Sequence, residues 1–182
     1  MITSMRPLSL GFLFVTPFAL ATLASPVWAA KVAAEAQLID AQGASVGKAK
    51  FLQTKKGVRV SVEVNGLTPG EHGIHIHENG LCDTPDFKTA GAHFNPTQKS
   101  HGLTHEQGAH AGDLPNLKAS AKGRGRLNFV ATGATLEPSN TSLLKEGGTA
   151  LVIHAKADDG KTQPSGDSGD RVVCGVIRAI KK

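Results

Sequence analysis

An all-β antiparallel sandwich or barrel with two long functional loops is the fold class the sequence predicts, and three observations predict it. From Val58 to Asn65, β-branched residues alternate strictly with polar ones, the two-residue period of a strand with one buried face. Other short apolar stretches recur along the chain, and none has a convincing helical period. Two segments, 78–114 and 155–170, carry Gly, Pro, Asp and His without periodicity, and loops longer than about 15 residues are uncommon unless they serve a function.

Taken in order, residues 1–29 stand apart from the domain. Arg6 precedes an apolar run from Leu8 to Ala24, and Val27, Trp28 and Ala29 follow as a small-residue cleavage pattern, which predicts a secretory signal peptide. The run contains Pro17 and falls short of the roughly 20 apolar residues a membrane span needs. Its removal leaves one domain, residues 30–182, expected outside the cytoplasm (periplasm, cell envelope or extracellular space) with no stable membrane insertion. The segment also holds the only tryptophan, and the chain has no tyrosine, so the processed core is largely aliphatic.

Strands are expected at 32–39, 45–53, 58–65, 72–77, 117–122, 126–129, 149–154 and 172–179, about eight in all. Gly123 and Gly125 punctuate the fifth and sixth, which read as a hairpin. The formal charge of +5 drops by one with Arg6, and the basic residues are spread along the chain with no nucleic-acid stripe, which argues against a nucleic-acid partner. Cys82 and Cys174 are the only cysteines, and in an oxidising compartment they read as one disulfide. A cross-link closing so long a loop contributes about 4 to 5 kcal/mol in the chain-entropy model.

All eight histidines fall between His72 and His154, within or beside the two long loops, and metal binding is the direct inference. His75 and His77 are two apart in a strand, so both imidazoles point to one face and can meet one ion. His93, His101, His110 and Asp113 follow in the long loop, and His154 ends the apolar run Ala-Leu-Val-Ile. Nitrogen-rich sets suit copper and zinc, and a closed set of four with one carboxylate oxygen suits structural zinc. Two four-coordinate sites need one more donor than these seven residues supply, so one histidine must serve both ions.

The runs Gly-Ile-His-Ile-His-Glu (73–78), Gly-Ala-His-Phe-Asn-Pro (91–96), Lys-Ser-His-Gly (99–102), His-Ala-Gly-Asp-Leu (110–114), Val-Ile-His-Ala-Lys-Ala-Asp-Asp (152–159) and Gly-Asp-Arg-Val-Val-Cys-Gly-Val-Ile (169–177) resemble copper,zinc superoxide dismutase of the exported bacterial kind. The resemblance runs from about residue 32 to 180. It implies a flattened eight-stranded Greek-key β-barrel, grouped with the immunoglobulin-like sandwiches. It further implies dismutation of superoxide to oxygen and hydrogen peroxide, as antioxidant defence in the cell envelope. Copper would be held by His75, His77, His93 and His154, and zinc by His93, His101, His110 and Asp113, with His93 as the shared donor. Asp158 would accept hydrogen bonds from His75 and His101, and Cys82 and Cys174 would form the family disulfide. Arg171 would draw in and dock the anion, and His93 would pass a proton to the product.

Of the remaining histidines, His72 matches a structural position and His105 matches no ligand. Asp170 stands where many relatives carry a small neutral residue, and Lys88, Lys156 and Lys161 are the basic residues that could compensate for its charge. A copper chaperone of the same fold would usually add a Cys-x-x-Cys module and lose copper ligands, and neither departure is present. Monomer and homodimer are both compatible with the sequence.

Overall fold

The structure is a computed structural model that describes Met1 and residues 33–180; apart from Met1, the expected signal peptide lies outside the described residues. Ten strands follow in order: β1 (Ala33–Asp40), β2 (Ser45–Thr54), β3 (Gly57–Val64), β4 (Gly70–His72), β5 (Ile74–His77), β6 (Leu117–Ala119), β7 (Gly125–Ala131), β8 (Ala150–His154), β9 (Arg171–Val176) and β10 (Arg178–Ala179). The sole helical element among the described residues is a 3-10 turn at Lys88–Ala90. No helix among the described residues is long and apolar enough to cross a membrane.

The alternation read in the sequence is the alternation of burial. In β3, Val58, Val60, Val62 and Val64 are buried, while Arg59 and Glu63 face water. The strands pair antiparallel in the order β4-β6-β7-β3-β2-β1-β9-β8-β5, with β10 added to β1. Because β3 pairs with β7, the chain crosses over the β6–β7 hairpin before it enters β4, a Greek-key connection. Strands β4 and β5 are neighbours in the chain but lie at opposite ends of this order, so the sheet curls into a nearly closed barrel with its seam at Gly73.

Two of the eight expected strands are each broken in two, which makes ten. The stretch 72–77 divides at Gly73, whose N–H donates to the Lys156 carbonyl (2.7 Å) and whose carbonyl accepts from the His154 N–H (2.8 Å). A Cβ at Gly73 would sit 2.7 Å from the Ser168 Cβ, so the seam closes only around a residue without a side chain. The stretch 172–179 divides at Ile177, whose N–H turns to the Thr149 carbonyl. The fifth expected strand, 117–122, stops at Ala119 because Ser120 and Gly123 form the turn into β7.

Inside the barrel, Ala34, Ala36, Leu38, Ala49, Phe51 and the β3 valines meet Ile74, Ile76, Leu151 and Ile153 in one cluster. A second, smaller cluster lies outside β8 and β9, where Phe87 and Ala90 cover Ala150, Val152 and Cys174. The Cys82–Cys174 disulfide, with Cα atoms 5.7 Å apart, ties the covering loop to β9. The expected pairing of these cysteines is therefore present.

Candidate metal centre

Period-two geometry builds the first half of the site. Ile74 and Ile76 enter the core, so His75 and His77 point out of the barrel on one face. A register shift between Ile153 and His154 sets His154 directly across from Arg171 on β9, which brings both side chains to the same rim. The long loop then runs along the free edge of β5: Ile76 N–H donates to Gly112, Phe94 N–H to Ile76, and Glu78 N–H to Ala92. These bonds place His93 opposite His77 and Asp113 opposite His75.

The result is two groups of four donors sharing one ring: His75, His77, His93 and His154 form one, and His93, His101, His110 and Asp113 the other. Within each group the donor atoms all lie within 4.8 Å of one another. In the first group, His75 Nδ1, His77 Nε2, His93 Nε2 and His154 Nε2 are buried without a hydrogen-bond partner. Four orphaned imidazole nitrogens converging on one point are costly unless an ion meets them. The opposite nitrogens are occupied: His77 Nδ1 donates to the Gly91 carbonyl (2.9 Å), His154 Nδ1 to Gly169 (3.1 Å) and His75 Nε2 to Asp158 Oδ2 (2.6 Å). Those oxygens fix each tautomer and aim the bare lone pair inward.

In the second group, the Nδ1 atoms of His93, His101 and His110 lie 3.1, 3.1 and 3.3 Å from Asp113 Oδ1. Asp113 Oδ2 accepts the Gly102 and His110 N–H groups, so the carboxylate presents its other oxygen to the three rings. His93 thus offers Nε2 to one group and Nδ1 to the other. Three nitrogens and one carboxylate oxygen make a set of four donors, a number and chemistry that suit a structural zinc ion.

Electrostatics separates the two halves. Burial, together with the neighbouring rings, lowers His77 to about 2, His93 to about 4 and His154 to about 3, so these rings are neutral donors at neutral pH. Burial also acts to lower His101, but its hydrogen bonds to Asp113 and Asp158 outweigh it and raise the ring to about 9. Both aspartates are held well below the usual carboxylate range by their histidine partners, against the opposing effect of burial.

Asp158 reaches both groups, with Oδ1 3.0 Å from His101 Nε2 and Oδ2 on His75 Nε2. Two residues that sequence reasoning missed hold this link in place. Asn116 clamps the Asp158 backbone through both its N–H and its carbonyl, and Gln163 does the same for His101. Nothing in their local sequence signals these roles, because each clamp spans more than forty residues. Gly166, at φ +68°, leaves the room in which Asp158 meets His101; a Cβ there would run into the Asp158 carboxylate.

A cleft of about 660 Å³ opens over the first group, with Arg171 on its wall. Arg171 donates from Nη1 to the Phe87 carbonyl and from Nη2 to the Gly91 carbonyl, both at 2.7 Å, in the loop the disulfide anchors. It makes no ion pair with Asp170 among the described residues. Lys145 lines the cleft, whereas Lys88, Lys156 and Lys161 do not, and Lys88 is paired with Asp86 in solvent. His72 is buried and belongs to neither donor group, its nitrogens 2.7 Å from the His154 carbonyl and 2.8 Å from that of Thr68. His105 belongs to neither donor group.

A nearly closed antiparallel barrel whose outer face carries two donor sets joined through one imidazole defines a two-metal β-barrel protein. The comparisons say which. The model of the copper/zinc superoxide dismutase family matches residues 45–177. Cu-Zn superoxide dismutase 1 of Aquifex aeolicus is 46% identical over 145 residues, 79% of this chain and 86% of the relative. The crystal structure of a SOD-like protein from Bacillus subtilis superposes with a TM-score of 0.75 at 41% identity, covering 78% of this chain and 96% of that one. The Cu/Zn superoxide dismutase from Brucella abortus gives 0.64 at 30%, covering 80% and 99%. The chain belongs to the copper/zinc superoxide dismutase family. It is an oxidoreductase that dismutes superoxide, and copper and zinc are the family's ions.

Proposed function

We propose that His75, His77, His93 and His154 hold copper, that His93, His101, His110 and Asp113 hold zinc, and that Arg171 and His93 serve the reaction. The observation that carries this reading is the set of four buried, unpartnered imidazole nitrogens, one of them on a ring whose other nitrogen faces Asp113. Two superoxide anions and two protons give one oxygen and one hydrogen peroxide. Copper, when bound, supplies the one-electron relay by alternating between its two oxidation states.

The chain supplies the rest. Two of the five guanidinium N–H donors of Arg171 are taken by carbonyls, so the charge is pinned at the cleft while the remaining donors can receive a small anion. His93 Nε2 is the atom at which a proton can be held and handed to the peroxide, because Nδ1 is committed to the zinc side. Asp158 keeps the two halves in register through His75 and His101. Removal of residues 1–29 and export to the periplasm or cell envelope complete the reading. An exported form that lacks tryptophan fluorescence supports that cleavage, and retained Trp28 emission overturns it.

A superoxide-scavenging assay tests the whole. Protein reconstituted with copper and zinc is expected to be active, and protein given zinc alone to be inactive. Equal rates in the metal-free and reconstituted forms would overturn the assignment.

A further inference from the structure

Basic residues that are scattered along the sequence are gathered by strand register onto one face of the barrel. The inward residues of β1, β2, β3 and β7 share the core with Ile74, Ile76 and Ile153, so the outer face of those strands lies on the opposite side of the barrel from the histidines. Across it, Lys48 is level with Glu63, Glu63 with Arg126, and Arg126 with Lys118. A second row runs Arg178, Glu35, Lys50, Ser61. A third row contributes Arg59 beside Leu52. The turns at its ends add Lys55 and Lys56 on one side, and Lys122 and Arg124 on the other, all exposed.

The face and its turns therefore hold ten of the chain's twenty lysines and arginines but only four of its fifteen acids, Glu35, Asp40, Glu63 and Glu71. Among the described residues, the only ion pair on this face is Arg126 with Glu63, at 3.6 Å and well exposed. The β6–β7 end is concave, and Lys118, Lys122, Arg124 and Arg126 surround the hollow. Among the described residues, the remainder of the chain holds six bases and eleven of the acids, so the described fold is electrically two-sided.

We propose that this basic face docks on an anionic lipid bilayer and turns the metal cleft toward the solution. A broad sheet face with dispersed positive charge matches a planar field of lipid phosphates, to which exposed Lys and Arg are attracted additively. Nucleic acid is the poorer match, because no aromatic side chain points outward from these strands to stack on a base. Strand β1 belongs to this face and follows on the apolar run Leu8–Ala24, so the face is the first part of the fold to follow that run toward a bilayer.

The test uses residues 30–182 loaded with copper and zinc; every described strand lies within Ala33–Ala179, so this form keeps the fold. It is sedimented with vesicles of phosphatidylcholine alone or with added phosphatidylglycerol, at low and high salt. Binding is expected only to the phosphatidylglycerol vesicles and is expected to fall with salt. Lys50→Glu with Arg59→Glu is expected to weaken it by roughly tenfold or more, leaving dismutase activity and melting temperature unchanged. Lys50→Gln with Arg59→Gln should fall between. Lys88→Glu with Lys99→Glu changes the net charge equally on other surfaces and is expected to retain binding. Equal losses in the two charge-reversed pairs, equal binding to both vesicles, or tighter binding to a short DNA duplex than to the anionic vesicles would overturn the proposal.

Discussion

Each imidazole of the first donor group has one nitrogen held by an oxygen and one left bare, and the cost of the bare atoms is the measure of how strongly the fold selects for an ion there. In His93 the oxygen that holds Nδ1 is Asp113 Oδ1, itself a member of the second donor group, so this ring alone belongs to both. In His93→Ala each group loses a donor, so activity should fall severely and the copper absorption band should shift; unchanged rate and spectrum would remove His93 from the site. Arg171 touches no orphaned nitrogen, and its removal separates docking from ligation. Arg171→Ala is expected to keep full metal content and copper spectra while losing much of its rate, and Arg171→Lys should lie between, since charge survives and the planar fork does not. Exposed charges are screened over about 10 Å at 0.1 M salt, so the wild-type rate should drop as salt rises and that of Arg171→Ala should respond less. Initial rates at several ionic strengths, with metal occupancy checked, decide both points.

The loop from Cys82 to Gly91 links stability to rate through backbone alone. It covers Phe87 and Ala90 over β8 and β9, and its Phe87 and Gly91 carbonyls hold the Arg171 guanidinium. The paired change Cys82→Ser and Cys174→Ser should cost about 2 to 5 kcal/mol of stability, and the surviving folded protein should turn over more slowly at full copper occupancy. Thermal unfolding and a metal-normalised rate measure the two effects. At this scale the sequence is legible where chemistry follows a period: β3 was visible in its valines, and His75 and His77 in their spacing of two. It is silent where one segment reads another's backbone. The break at Gly73 depends on Ser168 and Lys156, and the clamps by Asn116 and Gln163 depend on partners far along the chain. The basic face is invisible for the same reason, since only register sets Lys48 beside Glu63 and Arg126.

For the molecule as a whole, the metal-free protein should have a lopsided pH profile. His77, His93 and His154 bind protons near 6.5 in the unfolded chain but only at about 2, 4 and 3 when folded. Below pH 6.5 the unfolded state therefore takes up more protons, and folding stability falls by on the order of 1.4 kcal/mol per pH unit for each ring. His101, raised to about 9, works with the opposite sign: its contribution is complete below 6.5 and is lost as pH rises through 9. Three rings act on the acid side and one on the alkaline side, so stability should peak near pH 6.5 and decline more steeply toward pH 4 than toward pH 9. Urea unfolding of the metal-free protein at pH 4.5, 6.5 and 8.5 checks this; a symmetric profile would contradict the burial of the neutral rings.

The free edge of β5 is capped by loop segments that carry His93 and Asp113, and not by another strand. Backbone bonds hold those segments to β5, and ions bound by the His93 and Asp113 side chains would add to that hold, so metal removal should loosen the segments and uncover a row of backbone N–H and carbonyl groups open to pairing with a second molecule. Demetallated protein is then expected to self-associate edge to edge, with light scattering that grows with concentration and is suppressed by restoring zinc. Zinc would in that case guard solubility as well as shape the centre. Protein that stays monomeric without metal would show that the loop holds the edge unaided.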